Sequence, residues 1–129
     1  MLESIFRAYD VRGRYPEELD EATVERIAFA FGKKIPGTLI VARDARTSSP
    51  QLFRSAVAGL RRAGTKKVIE VGIATTPMFY FVVNDRNADG GLMITASHNP
   101  GIYNGVKAVR RGAVPVNGKD MLKIVQRYV

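Results

Sequence analysis

The sequence predicts an α/β three-layer α/β/α domain with a mixed, mostly parallel four-stranded sheet and one antiparallel edge strand. Three observations lead there. Apolar, β-branched runs at residues 39–42 and 92–95 have the length and flanking residues of buried strands, and residues 67–73 read as a further strand. Between them lie segments with apolar residues at helical spacing, the alternation that covers a parallel sheet on both faces. The last strand candidate, residues 106–109, follows by a link too short for a crossover helix and so enters antiparallel. At 129 residues the chain suits one domain, 1–129, large enough to bury a substantial core.

Taken in order, residues 1–18 show no periodicity and are punctuated by Gly13 and Pro16. Their charge density fits a solvated arm; it equally fits a loop delivering Tyr9 and Arg12 to a phosphate, which guanidinium binds bidentately. Residues 20–35 form a helix, with Val24, Ile27, Ala28, Phe31 and Ile35 on one face and Asp20 or Glu21 at its start. The strand at 39–42 ends in Arg43-Asp44-Ala45-Arg46-Thr47, where Arg43 and Asp44 can pair with each other or face a ligand. Loops at the carboxyl ends of strands are where open α/β sheets place ligands. Ser49 as N-cap and Pro50 in the first turn open the next helix, which Gly64 stops. The strand at 67–73 follows, then a helix opened by Thr76-Pro77 and closed by Asn84 and Asn87. Phe79, Tyr80 and Phe81 on that helix read as core rather than as a stacking platform.

Gly90 and Gly91 lead in the strand that carries the densest chemistry. It stops at Ala96-Ser97-His98-Asn99-Pro100, where Asn-Pro turns the chain. Asn104-Gly105 reads as a turn before the strand at 106–109, which carries Lys107 back toward Ser97. A serine at the end of a buried strand, beside a ring, an amide and an ammonium, suits a reactive hydroxyl. The same spacing also suits a plain bend capped by Ser97 with His98 in solvent. Arg110-Arg111-Gly112-Ala113 reads as a turn, and Asn117 caps a last amphipathic helix.

The chain has no cysteine, which excludes disulfides and thiolate metal sites. No apolar run approaches the roughly 20 residues that span a bilayer, and no signal peptide opens the chain, so a cytoplasmic protein without a membrane partner is expected. The net charge of +8 invites a nucleic-acid reading. However, Arg61-Arg62, Lys66-Lys67 and Arg110-Arg111 are scattered, so no nucleic-acid partner is expected. A positive field that draws in a phosphate ester, or an acidic partner domain, accounts for the excess better.

Two motifs then carry a resemblance. Thr95-Ala96-Ser97-His98-Asn99-Pro100 resembles the phosphoserine loop of the α-D-phosphohexomutases, the family of phosphoglucomutases and phosphomannomutases. Phe6-Arg7-Ala8-Tyr9-Asp10-Val11-Arg12-Gly13 resembles the N-terminal signature of the phosphomannomutase/phosphoglucomutase branch, and residues 43–46 match a strand-end Arg-Asp-x-Arg segment. The resemblance covers nearly all of this chain but only the first of the family's four domains.

It implies that Ser97 carries a phosphoryl group to and from hexose phosphates, with glucose or mannose 1,6-bisphosphate as activator and intermediate. It implies that His98 and Asn99 orient that group and that Lys107 is a general acid/base or charge stabiliser. Arg12 would then stabilise the phosphate, Tyr9 would shape the pocket, and Arg43 would lie near the reaction centre. It also implies Mg2+ held by the phosphate on Ser97 and by an aspartate loop of a second domain. Asp10, Asp20, Asp44, Asp85, Asp89 and Asp120 are too dispersed to supply that loop. The missing domains are therefore expected partners, and the isolated chain is expected to be inactive. A non-catalytic phosphosugar-binding or regulatory module is an alternative. So is a phosphoglucosamine mutase domain, although that branch favours a Gly-Thr-Asp-Gly type opening.

Overall fold

A computed structural model describes residues 1–129. In chain order the elements are β1 (Val11–Arg14), α1 (Glu21–Lys34), β2 (Thr38–Arg43), α2 (Ser49–Arg62), β3 (Lys67–Ile73), α3 (Thr76–Asp85), β4 (Gly90–Ile94), β5 (Tyr103–Arg110), β6 (Val114–Val116) and α4 (Gly118–Tyr128). The sheet has six strands, in the order β1-β5-β4-β2-β3, with β6 also on β5. Strands β3, β2 and β4 are parallel, whereas β5 runs antiparallel to β4.

Period-2 alternation sorts the layers. Leu39 and Val41 of β2, Leu92 and Ile94 of β4, and Val106 and Ala108 of β5 face a large core beneath α1, α2 and α4. Ile40, Ala42, Met93 and Val109 face a smaller core closed by Phe79 and Val83 of α3. The helices begin and end close to their expected bounds. Asp20 caps α1 by accepting the Thr23 N–H, and Asn117 caps α4 by accepting the Asp120 N–H. Gly59 lets α1 and α2 approach closely, since a Cβ there would lie 2.3 Å from the Glu25 carbonyl oxygen.

Several expectations change. The sheet gains β1 and β6, which share the outer edge of β5 end to end: β1 pairs with residues 103–106 and β6 with 108–110. The antiparallel strand is thus flanked rather than free at the edge. Within the N-terminal segment Val11–Arg14 is a paired strand rather than part of a solvated arm or loop, and Val11 packs into the large core. Asn104-Gly105 lies inside β5, not in a turn. The buried Asn104 amide donates to the Ser48 and Ser49 hydroxyls at 2.8 and 3.0 Å, bonds that replace the turn chemistry the sequence suggests. Ser49 is already helical and does not cap α2; Ser48 occupies the N-cap position. α3 opens at Thr76-Pro77 as expected, with Thr75 as its cap, accepting the Met78 N–H. Of the three aromatics on α3, Phe79 is fully buried whereas Phe81 is 62% exposed. No helix is long and apolar enough to cross a membrane.

Candidate active site

The site forms where β4 stops. Thr95 remains buried, its N–H bonded to the Gly105 carbonyl at 3.0 Å. Ser97 then takes a left-handed backbone with φ 55°, which side-chain-bearing residues adopt uncommonly. Thr95 Oγ1 accepts the Ser97 N–H at 3.0 Å, and the Ala96 carbonyl accepts the Asn99 N–H at 3.1 Å. These local bonds hold a sharp turn and leave Ser97 exposed.

Strand alternation brings the cations there. Val11 faces the large core, so Arg12 beside it faces the other side of the sheet. Lys107, between the core residues Val106 and Ala108, faces the same way. Gly105 lies opposite Arg12 in the β1–β5 register. A Cβ at Gly105 would sit 2.2 Å from the Val11 carbonyl and 3.1 Å from Arg12 Cγ, so only glycine fits under the arginine.

Asp10 ties the two cations together. It is 3% exposed and accepts from Arg12 Nε and Nη2 at 3.1 Å each, while Lys107 Nζ lies 3.8 Å from its Oδ2. The carboxylate fork orients the guanidinium. Arg12 Nη1 then donates to Asn99 Oδ1, and Nη2 lies 3.4 Å from Ser97 Oγ. The three charged groups sum to a single positive charge beside an exposed hydroxyl.

The other predicted residues are less closely joined. His98 is exposed on the turn and lines, with Ser97, an open cleft of about 790 Å³. The far wall of that cleft is the start of α3, at Thr75, Thr76 and Met78. Tyr9 is 82% exposed. Arg43 does not pair with the Asp44 carboxylate; its Nη1 donates to the Asp44 backbone carbonyl at 3.1 Å. Asp44 instead pairs with Arg46 at 3.1 Å. Asp10 and Arg46 are the two site residues to which sequence reasoning gave no role. The signal for Arg46 was its place in the strand-end segment at residues 43–46, and for Asp10 its place two residues before Arg12 on what proves to be a strand.

The side chains of this chain do not by themselves fit a magnesium site. No group of three or more His, Asp or Glu side chains is positioned to hold a metal ion. The two nearby carboxylates, Asp10 and Asp44, are both engaged by guanidiniums.

The family model for phosphoglucomutase/phosphomannomutase, alpha/beta/alpha domain I, matches residues 3–129. This chain belongs to that family. Domain I here is 43% identical over 123 residues to a phosphomannomutase of Salmonella montevideo, covering 95% of this chain and 27% of that protein. It is 42% identical over 123 residues to a phosphomannomutase of Klebsiella pneumoniae, covering 95% of this chain and 78% of that protein. Among solved structures, a phosphoglucomutase/phosphomannomutase family protein from Burkholderia thailandensis superposes with a TM-score of 0.92 at 36% identity. That match covers 99% of domain I and 30% of the Burkholderia chain. The present chain thus spans about a quarter of the Salmonella relative.

Proposed function

We propose that this chain is the phosphoryl-carrying domain of a phosphohexomutase acting on hexose phosphates. Ser97 Oγ attacks a phosphorus of glucose or mannose 1,6-bisphosphate. The new Oγ–P bond forms as the bond from phosphorus to the sugar oxygen breaks, and the serine proton ends on that oxygen. The phosphoserine then gives its phosphoryl group to the free hydroxyl of a hexose monophosphate, regenerating a bisphosphate. Return of that sugar's original phosphate to Ser97 releases the isomeric monophosphate. Phosphoryl transfer of this kind depends on positioning and on neutralising charge. Arg12 neutralises and orients the phosphoryl oxygens, and Asn99 fixes Arg12. Lys107 carries the proton or steadies developing charge, and His98 meets the sugar along the cleft. Tyr9 and Arg43 line the approach. Were magnesium bound in the longer enzyme, this domain would offer it the phosphoryl oxygens on Ser97, and the ion would offset the charge of the incoming anion. The remaining domains of the polypeptide, as partners, would supply its other ligands and the grip on the sugar.

The observation that carries this reading is Ser97, exposed in a left-handed turn, within reach of an arginine that a buried aspartate holds in place. Intact mass after incubation of the complete polypeptide with glucose 1,6-bisphosphate tests it. One phosphate is expected on the wild type and none on Ser97→Ala. Lys107→Met is expected to keep the phosphate while slowing both half-reactions by about 100- to 10,000-fold. Equal phosphate uptake by Ser97→Ala would remove the assignment.

A further inference from the structure

Arg46 is 13% exposed and does not line the cleft that Ser97 and His98 share; it borders the serine turn beside Ser97 and Asn99. Its Nη2 donates to the carbonyls of Ser97 and Asn99 at 2.9 and 2.7 Å, and its Nη1 to those of Pro100 and Tyr103 at 2.7 and 3.2 Å. One planar guanidinium therefore fastens four backbone carbonyls of the segment that presents Ser97. Its Nε donates to Asp44 Oδ2 at 3.1 Å, and Asp44 Oδ1 accepts the Arg46 N–H at 3.1 Å and the Ser49 hydroxyl. The buried Asn104 amide holds Ser49 in turn. A continuous line of hydrogen bonds runs from the middle of the fold to the turn.

We infer that Arg46 is a positioning residue that holds the 97–103 segment in the conformation that aims Ser97 Oγ at Arg12. The inference deepens the phosphoryl-carrier reading and, for its effect on rate, rests on it. Two physical effects act together. A left-handed serine persists only when its surroundings over-determine it, and four charge-assisted bonds from one rigid fork do so. Drawing the carbonyls of Ser97 and Pro100 to Arg46 also turns the other ends of those trans peptides, the His98 and Gly101 N–H groups, away from it. The turn thus keeps the negative ends of its dipoles on the guanidinium side, away from the side that the phosphoryl group would occupy.

The test compares Arg46→Lys and Arg46→Ala with wild type in the complete polypeptide. It follows phosphotransfer from glucose 1,6-bisphosphate, hydrogen exchange of the Asn99 amide, and thermal melting. A misplacement of about 1 Å is worth about 100-fold in rate. A fall of that order in kcat, with KM within a few-fold, is expected for both variants, together with faster Asn99 exchange. Lysine cannot reproduce a planar fork, so Arg46→Lys should not recover the rate, whereas added guanidinium ion should partly restore Arg46→Ala. Wild-type kcat in Arg46→Lys overturns the inference, as does a guanidinium-insensitive loss in Arg46→Ala. If Arg46→Ala fails to fold, Arg46→Lys decides alone. If wild-type Ser97 accepts no phosphate, it is the carrier reading that fails. The exchange of Asn99 still judges Arg46 then, and unaltered protection in Arg46→Lys overturns its positioning role.

Discussion

Asp10 is the residue on which the charge balance of the site turns. Its carboxylate is 3% exposed, whereas Arg12 and Lys107 are 23% and 20% exposed. Removing one cation leaves the carboxylate with the other; removing both leaves a buried charge without a partner. Breaking a buried pair in that way costs about 3–5 kcal/mol. The double variant Arg12→Ala, Lys107→Met is therefore expected to lose more stability than the two single variants added together. Adding Asp10→Asn should return most of that excess, because it removes the charge left stranded. Urea unfolding of wild type, the two single variants, the double and the triple variant measures the coupling, and strict additivity would show that Asp10 is solvated after all. Little of this was legible in the sequence. Asp10 sits in a segment with no periodicity, and the residues it joins are 2 and 97 positions away. Arg46 was still harder to read, because its partners are backbone carbonyls, which no residue type announces. Ser97, Asn99 and Arg12 were legible through their motifs, which keep them together although β1 and the serine turn lie far apart in the chain.

At the scale of elements, strong periodicity was decisive and short segments were not. The strand at residues 67–73 and the helix after Asp20 fall where their apolar patterns place them. α1 buries Val24, Ile27, Ala28 and Phe31 on one face, and β3, at the sheet's edge, packs Val68, Ile69 and Val71 partly buried against the two cores. β1 has only four residues, two of them arginines, so nothing local marks it as a strand. Its one deeply buried side chain, Val11, and its pairing with β5 make it one. Asn104-Gly105 misled for a complementary reason. The pair has turn chemistry, but both residues are used for contact: Asn104 bonds α2, and Gly105 admits two other backbones. Gly105→Ala tests that account. Its Cβ would lie 2.2 Å from the Val11 carbonyl and 2.9 Å from the Thr95 carbonyl, and neither backbone can rotate aside as a side chain would. The expected result is a loss of about 1–3 kcal/mol, typical of overpacking. Exchange of the β1 amides should rise first. An unshifted melt with β1 still protected would mean that the sheet opens there without cost.

Across the whole molecule, two carboxylates tie the frame at separate points and set how it responds to acid. Asp20 caps α1, and its bonds from the Thr23 N–H and hydroxyl hold its pKa below the ordinary aspartate value. Asp89, ahead of β4, accepts the Thr38 N–H at the start of β2, and a hydrogen bond from Arg111 adds to that one; together they hold its pKa down as well. A carboxyl whose pKa is lower folded than unfolded favours the folded state wherever it is ionised in both. Its contribution is thus complete above the unfolded value, near about 3.9. It is lost as pH falls through the lower, folded value. Both shifts have the same sign, so they reinforce each other. Stability against urea should be level from neutral pH to about 5 and should then fall across the region below about 4. The contrast lies in the variant Asp20→Asn, Asp89→Asn. Asparagine still caps a helix and still offers an oxygen to Thr38, so the variant should fold near neutral pH with a modest loss. It should lack the part of the acid limb that these two groups cause, so the curves of variant and wild type should converge as pH is lowered. Parallel curves down to pH 3 would assign the acid sensitivity to other carboxylates.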